Sequence, residues 1–491
     1  MRKLIRNATV IAMDQAHGAE PFSSDLLIEG GRIAVIGSKL DVQPGTEIID
    51  ASGKLVMPGL INAHTHSAEM FLRGRYEKLP LELWLLYAYP FLRAFSPLPR
   101  ILYLRSMLLA MESISSGVTT IVDHFFDPPQ HDLARLGEAV RAYEQIGIRA
   151  TVSSAVMNIH PLDALPFARD VVPADLQALL AFGPPIKPHD YIDYCTSAHR
   201  AFHGRKGRIS FMVAPSAPQR CTPELMQACR DFATDRGIPY HSHVLETRVQ
   251  AVTAHLQYGR SLIAYMNDLG LLQAGTAIAH GVWLDEADID MLGRAGVSVV
   301  HNVIANLKLG SGIAPVRRLM DAGVNVALGS DGASSNDTVR IFDAMRIAAL
   351  IHSMPDMHHT EWLSATDVLH MATINGARSA GLGQVTGSLE TGKAADLIVL
   401  NLDALSFTPC NRIPHHLVYA ENGSSIEQVM VGGEVVFERG RFVTINGGEI
   451  LAEIREIAPA FLDAQRRDED RNAVFHASFA EIHRRASANS L

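Results

Sequence analysis

The chain has 491 residues, 47% of them hydrophobic and 19% charged, a balance that excludes extended disorder. Its formal net charge is −9 and it has no block of Lys or Arg to neutralise a phosphate backbone, so nucleic acid is not an expected partner. Four scattered cysteines (Cys195, Cys221, Cys229, Cys410) without a CxxC pair exclude a disulfide scaffold and a cysteine-rich zinc site, and fit a reducing cytoplasm.

The start, MRKLIRNATVIAMD, is basic but has no apolar run or small-residue cleavage site. No apolar run reaches the roughly 18 residues that a membrane span needs, so neither secretion nor a membrane is expected. Residues 3–13, 25–37 and 46–57 read as short strands punctuated by Gly-Gly and Pro-Gly turns. Residues 395–402 and 418–444 return to that character, with Gly432-Gly433 in a hairpin setting. Neither end alone has enough strands to bury a face, so 1–57 and 384–446 are expected to form one discontinuous β-sandwich.

Between them, 58–383 alternates strand and helix, with candidate strands at 55–63, 119–124, 148–156, 209–216, 238–244, 276–281, 297–303 and 324–332. That alternation predicts an α/β fold of the (β/α)8, or TIM-barrel, type. Pro223 suits a first helical turn that Gly237 would close, and Ser364 with Asp367 forms a capping box. After the third strand, 158–208 is an insertion carrying His160, His189, His199 and His203, on the face where such insertions set substrate choice. The stretch GSLETGK at 387–393 lies within one residue of a phosphate-binding loop, but Ala394 stands where Ser or Thr should bind magnesium, and it is set aside. The tail, 447–491, reads as polar helix with a charge run at 466–471, expected to be solvated or to contact another copy in a homo-oligomer.

The chemistry concentrates at strand ends. In VMPGLINAHTHS, His64 and His66 are two residues apart on a strand and so point the same way, aiming two imidazoles at one point as a metal requires. The fifth strand ends PYHSHVLET, with His241 and His243 on one face and Glu246 just beyond. The sixth ends AIAHG (His280), the seventh VVHN (His301) and the eighth LGSDG (Asp331). In a parallel barrel all these ends open on one face, where residues distant in sequence converge.

The set PGLINAHTH, HSHVLET, AIAHG, HNVIANLKLGSGIAPV and LGSDGASSND resembles the amidohydrolase superfamily, in its branch of heterocycle aminohydrolases and s-triazine chlorohydrolases. The resemblance implies a distorted barrel flanked by a sandwich built from both chain ends. It implies His64, His66, His243 and Asp331 as ligands of one divalent ion, zinc or iron, with a bound water. It further implies His280 against the water or substrate, and Glu246 with Asp331 as the proton-moving acids. His241 and His301 have no ligand role in that pattern, and His301 is kept as a candidate around the substrate. The fourth strand, ISFMVAPS, lacks the lysine of two-metal members, so one metal is expected. The HxE and PCxxC signature of cytidine-deaminase-type zinc enzymes is absent.

For the substrate, Glu69 and Trp84 are expected to line the pocket, Trp84 by stacking on a planar ring. Ser216 stands where adenosyl-type deaminases of this branch carry a histidine, and no arginine pair for a substrate carboxylate is evident. Gln219 and Arg220 are placed to read ring carbonyls. The expectation is a hydrolytic deaminase releasing ammonia from a small heterocycle: an oxidised purine, pterin, pyrimidine or triazine. Dechlorination of a chlorotriazine is the rival, but chloride leaves without a proton and would make little use of Glu246. An S-adenosylhomocysteine or adenosine deaminase and a non-catalytic scaffold rank lower.

Overall fold

The computed structural model describes residues 2–127, 131–180, 184–353 and 358–489. Leu60–His66, Val118–Asp123, Arg149–Val152, Ile209–Phe211, Tyr240–Val244, Thr276–His280, Ser298–His301 and Asn325–Leu328 are the first to eighth barrel strands. The first, second, third and sixth are buried along their whole length, as parallel strands covered on both faces must be.

All barrel pairings are parallel, but the ladder is not one closed ring. One segment orders the strands fourth, third, second, first and then Asp331–Gly332, the resumed end of the eighth, while another runs from the fifth to the eighth. An isolated bridge from Val213 to Tyr240 joins the fourth strand to the fifth. The eighth breaks at Gly329, where a Cβ would lie 2.4 Å from Asn302 Oδ1 and 2.9 Å from the His64 carbonyl oxygen. Only glycine permits that approach. The register then sets Asp331 opposite Thr65, between His64 and His66.

The two chain ends meet as expected. Lys54–Pro58 pairs antiparallel with Leu397–Asn401, fusing both sets of strands into one nine-stranded sheet among the described residues. That sheet folds over its own core of Ile5, Val10, Ile28, Val56, Val399 and Met430. Its tie to the barrel is a buried ion pair: Arg149 Nε donates to Asp396 Oδ2 at 2.7 Å and Nη2 to Oδ1 at 3.1 Å. The helix caps at Thr222–Pro223 with Gly237, and at Ser364 with Asp367, form as read.

Two expectations need correction, and the stretch set aside as a phosphate loop is no such loop. The span 418–444 does not begin as strand, since Ile413–Tyr419 is a helix and β structure resumes at Ile426–Val431. The phosphate-loop look-alike is a turn in which Lys393 Nζ donates to Ser388 Oγ at 2.6 Å. Most consequentially, the tail is not a solvated appendage. Its helices, Gly447–Asn472 and His476–Ala488, pack against Leu81–Ala88 and bury Phe475, Phe479 and Ile482 beside Leu83 and Leu86. Inside the charge run, Asp468 is fully buried and accepts from the Ala94 N–H at 3.1 Å, while Glu469 clamps Arg75 and Tyr76.

Candidate active site

The strand ends bring their polar side chains to one point. Nε2 of His64 and of His66 lie 3.4 and 3.2 Å from Asp331 Oδ1. His243 Nε2 is 3.3 Å from His66 Nε2. Two overlapping trios, His64 with His66 and His243, and His64 with His280 and Asp331, have ligand atoms within 4.8 Å of one another.

Whether these residues suit a cation follows from what their outer nitrogens do. His66 Nδ1 donates to the His124 carbonyl at 2.9 Å, and His243 Nδ1 donates to the Ser216 carbonyl at 2.7 Å. With both Nδ1 atoms committed as donors, neutral rings turn two bare Nε2 lone pairs towards each other, which is repulsive unless a positive charge sits with them. His64 Nδ1 is 2.9 Å from His241 Nε2, which leaves His64 Nε2 buried and without a hydrogen bond. Three imidazoles with oriented tautomers and one carboxylate fit a divalent ion of the zinc type. Burial opposes a charge on His66, but Asp331 beside it raises its pKa to about 9. Burial likewise disfavours a charged Asp331, yet the His64 and His66 rings beside it hold the carboxyl well below the usual range.

The backbone at these ends is strained. Leu245, His280 and Asp331 adopt φ of 51°, 77° and 60°, in the left-handed region that non-glycine residues avoid. Each such residue costs about 1–3 kcal/mol and clusters at functional sites. Beyond Leu245, Thr247 caps the helix Arg248–Tyr258, and Gln250 Oε1 accepts the Glu246 N–H at 2.9 Å. Glu246 is thereby fixed with Oε2 3.7 Å from His280 Nε2 and Oε1 unpartnered. Burial raises the Glu246 pKa to about 7, against the pull of His280. His280 Nδ1 in turn donates to Asn306 Oδ1 at 2.8 Å.

A cavity of about 570 Å³ opens from this centre, within the range of small-molecule sites. Glu69, Trp84, Ser216, Gln219 and Arg220 all line it, as do His66, His243, Glu246, His280 and Asp331. His301 does not; its Nε2 lies 3.3 Å from His352 Nε2, a buried pairing away from the cavity wall. Glu69 accepts from Tyr89 Oη at 2.8 Å, and from the Ser334 N–H at 3.1 Å and Oγ at 2.6 Å. A Cβ on Gly332 would fall 1.9 Å from Glu69 Oε2, so that glycine is what lets the carboxylate reach the eighth strand. Ser216 contributes its carbonyl, held by His243. Gln219 Oε1 and Trp84 Nε1 are buried without partners, and the Arg220 guanidinium has no hydrogen bond or ion pair among the described residues.

The sequence places His241 on the face of His243 without a ligand role, and leaves His124, the cavity-lining residues of the insertion and Phe479 unassigned. His241 stacks on His64, centroids 4.9 Å apart and 2° from parallel, and supports a ligand rather than being one. Its same-face pairing with His243 was the available signal. His124, just past the end of the second strand, lines the cavity with both ring nitrogens unpartnered and its ring 4.6 Å from that of His243. The insertion contributes apolar wall, including Ile159, Leu165 and Leu180, whereas His160, His189, His199 and His203 do not line the cavity. Phe479 of the tail closes another side.

Fold and donor set define a metal-dependent hydrolase built on a parallel barrel. Residues 55–436 match the Amidohydrolase family, and the chain belongs to it. It is 34% identical over 457 residues to a 5'-deoxyadenosine deaminase of Methanosarcina mazei, covering 93% of this chain and 97% of that protein. It is 35% identical over 473 residues to a 5-methylthioadenosine/S-adenosylhomocysteine deaminase of Desulforudis audaxviator, covering 94% and 100%. Among solved structures, a zinc-bound adenosine deaminase from Xanthomonas campestris superposes with TM-score 0.80 at 26% identity over 96% of this chain and 98% of that one. A zinc complex of atrazine chlorohydrolase from Arthrobacter aurescens gives TM-score 0.84 at 25% identity over 93% and 100%. The chain is thus a hydrolase acting on C–N bonds in cyclic amidines, a metal-dependent deaminase of an aminated heterocycle. Among the described residues no helix is long and apolar enough to cross a membrane.

Proposed function

We propose that the substrate is a planar aminated heterocycle bearing ring carbonyls, of the oxidised purine, pterin, pyrimidine or triazine type. The observation that carries this reading is the pair of unspent polar atoms on the cavity wall: Trp84 Nε1 and Gln219 Oε1 offer a donor and an acceptor that nothing in the protein uses, with Arg220 lining the same cavity. Buried groups of that kind cost about 1–3 kcal/mol each unless a ligand meets them, so they select rings with matching carbonyl and N–H edges.

A divalent ion would be held by His64, His66, His243 and Asp331 and would supply the Lewis acidity that brings the pKa of water from 15.7 towards about 7. With Nδ1 donating to Asn306 Oδ1, His280 turns Nε2, which also lies 3.5 Å from Asn302 Nδ2, towards the site, where it accepts from the attacking water and orients it. Asp331 takes the proton the water gives up as its oxygen bonds to the amine-bearing carbon. Glu246, protonated near neutral pH, gives its proton to the adjacent ring nitrogen. Asp331 then returns its proton to the amine, the C–N bond breaks, ammonia leaves, and the adduct's hydroxyl proton restores Glu246.

A second reading is deamination of a 5'-modified adenosine. The activities named for relatives at 34% and 35% identity favour it, and the Phe91, Phe95, Leu165 and Phe479 side of the cavity would accept an apolar 5' group. The test is an ammonia-release screen of the zinc-loaded protein against aminopurines, aminopterins, aminopyrimidines, aminotriazines and 5'-deoxyadenosine, with chloride followed for a chlorotriazine. The expected result is a kcat/KM about tenfold or more above that for 5'-deoxyadenosine with an oxo-bearing ring. The opposite order would put the second reading first, and chloride without ammonia would overturn deamination.

A further inference from the structure

The far side of the cavity holds positive charge that the reaction does not use. Arg93, in the loop after the helix Leu81–Ala88, lines the cavity, and its Nε is buried. Among the described residues its guanidinium has no hydrogen bond or ion pair; it only approaches the Phe95 ring, 5.5 Å from the centroid. The backbone on either side is clamped by the tail, with the Leu92 N–H donating to Asn472 Oδ1 at 3.2 Å and the Ala94 N–H to Asp468 Oδ1 at 3.1 Å. The position of Arg93 is therefore built, not incidental.

Behind it lies Arg105, 3% exposed, whose Nε and Nη2 are buried without hydrogen bonds. Its nearest carboxylate is Asp127, 3.6 Å from Nη2, but Asp127 is already held by both Nε and Nη2 of Arg135. Asp468 is likewise spoken for, by the Ala94 N–H and by Arg471. Asp127 and Asp468 are thus each held by another arginine, and Arg93 and Arg105 form a surplus with no carboxylate within hydrogen-bond distance among the described residues. Burial lowers the pKa of both, helped at Arg105 by the charge of Arg93 and resisted at Arg93 by the more distant Asp127 and Asp468. Buried charge is retained only when it is paired, so the surplus calls for an anion from outside the chain.

We propose that this end of the cavity is an anion subsite, in which Arg93, with Arg105 as the charge behind it, binds a carboxylate or phosphate carried by the substrate. The inference rests on the reading that a heterocycle fills the cavity, and it narrows the substrate to an acidic derivative whose charged group lies remote from the reacting carbon. Arginine suits that task because its planar fork of donors matches either oxyanion.

The test is equilibrium binding to the zinc-loaded full chain of two matched pairs: pterin with pterin-6-carboxylate, and adenosine with adenosine 5'-monophosphate. At least one anionic member should bind about tenfold or more tighter than its neutral parent, as a charge-assisted hydrogen bond worth about 1.5–3 kcal/mol gives. Arg93→Gln should abolish that preference with zinc content and Tm unchanged, and Arg93→Lys should restore part of it. A preference confined to one pair identifies carboxylate or phosphate as the group. Equal binding within both pairs, or a preference that survives Arg93→Gln, overturns the proposal. Ammonia is not read here, so a protein that prefers the anionic probes yet deaminates nothing would sink the proposed reaction and leave the subsite standing. Deamination of oxo-bearing rings with no anionic preference would do the reverse.

Discussion

Glu246→Gln isolates proton transfer from everything else in the site. The side chain keeps its volume and its place, because the Glu246 N–H stays on Gln250 Oε1 and the substituted group belongs to neither ligand trio. What it loses is a proton that can be given up near neutral pH, which the native carboxyl carries because burial raises its pKa to about 7. General acid–base catalysis contributes about 10²- to 10⁴-fold, so the barrier should rise by about 3–5 kcal/mol. The assay is coupled ammonia detection, with zinc measured by elemental analysis on the same sample. Turnover should fall by that factor with metal content unchanged. The metal-stripped chain supplies an independent check on stability. A buried carboxyl whose folded pKa is raised from 4.5 to about 7 costs nothing below the lower value, where both states are protonated. As pH climbs from the lower value to the upper one the cost grows, and above about 7 it stays constant, so the variant should gain stability over the native chain progressively between those values and keep it above them, and not in acid. Near-native ammonia release by the variant would remove Glu246 from the mechanism.

His243→Ala should lose bound zinc, since His243 Nε2 faces His66 Nε2 at 3.3 Å; unchanged stoichiometry by elemental analysis would deny it a ligand role. The native kcat/KM should decline as pH rises through about 7, because the acid that protonates the ring is then ionised. Asp396→Ala should cost about 3–5 kcal/mol in urea unfolding, because it strands Arg149, 4% exposed, without its carboxylate. A loss under about 1 kcal/mol would mean that water reaches the guanidinium.

What was legible in the chain was legible for physical reasons. Metal ligation needs particular side chains, and strand geometry puts them at a spacing of two, so His64, His66 and His243 announce themselves beside apolar runs. Asp331 and His280 stand out because each interrupts such a run where a strand must end. The cavity wall carries no such rhythm. Arg93 and Phe479 reach it through loop and tail packing set by Asp468 and Asn472, contacts between residues nearly 400 positions apart in some cases. The tail misled because its surface charges dominate the composition, while the residues that seat it (Asp468, Asn472, Phe475) are few and spaced by helical turns. His301 misled in the opposite direction. It ends a strand as the ligands do, but its neighbour in space is His352.

The late return of the tail has a consequence for the making of the protein. A ribosome releases the amino end first, so every proposed metal ligand, the last being Asp331, leaves the exit tunnel well before Phe479. A nascent chain can therefore assemble a loaded metal centre while one flank of its substrate chamber is still unsynthesised. Cleavage or premature termination near residue 465 would leave a protein that holds zinc but lacks the carboxylate and amide that seat Phe91, Leu92 and Ala94.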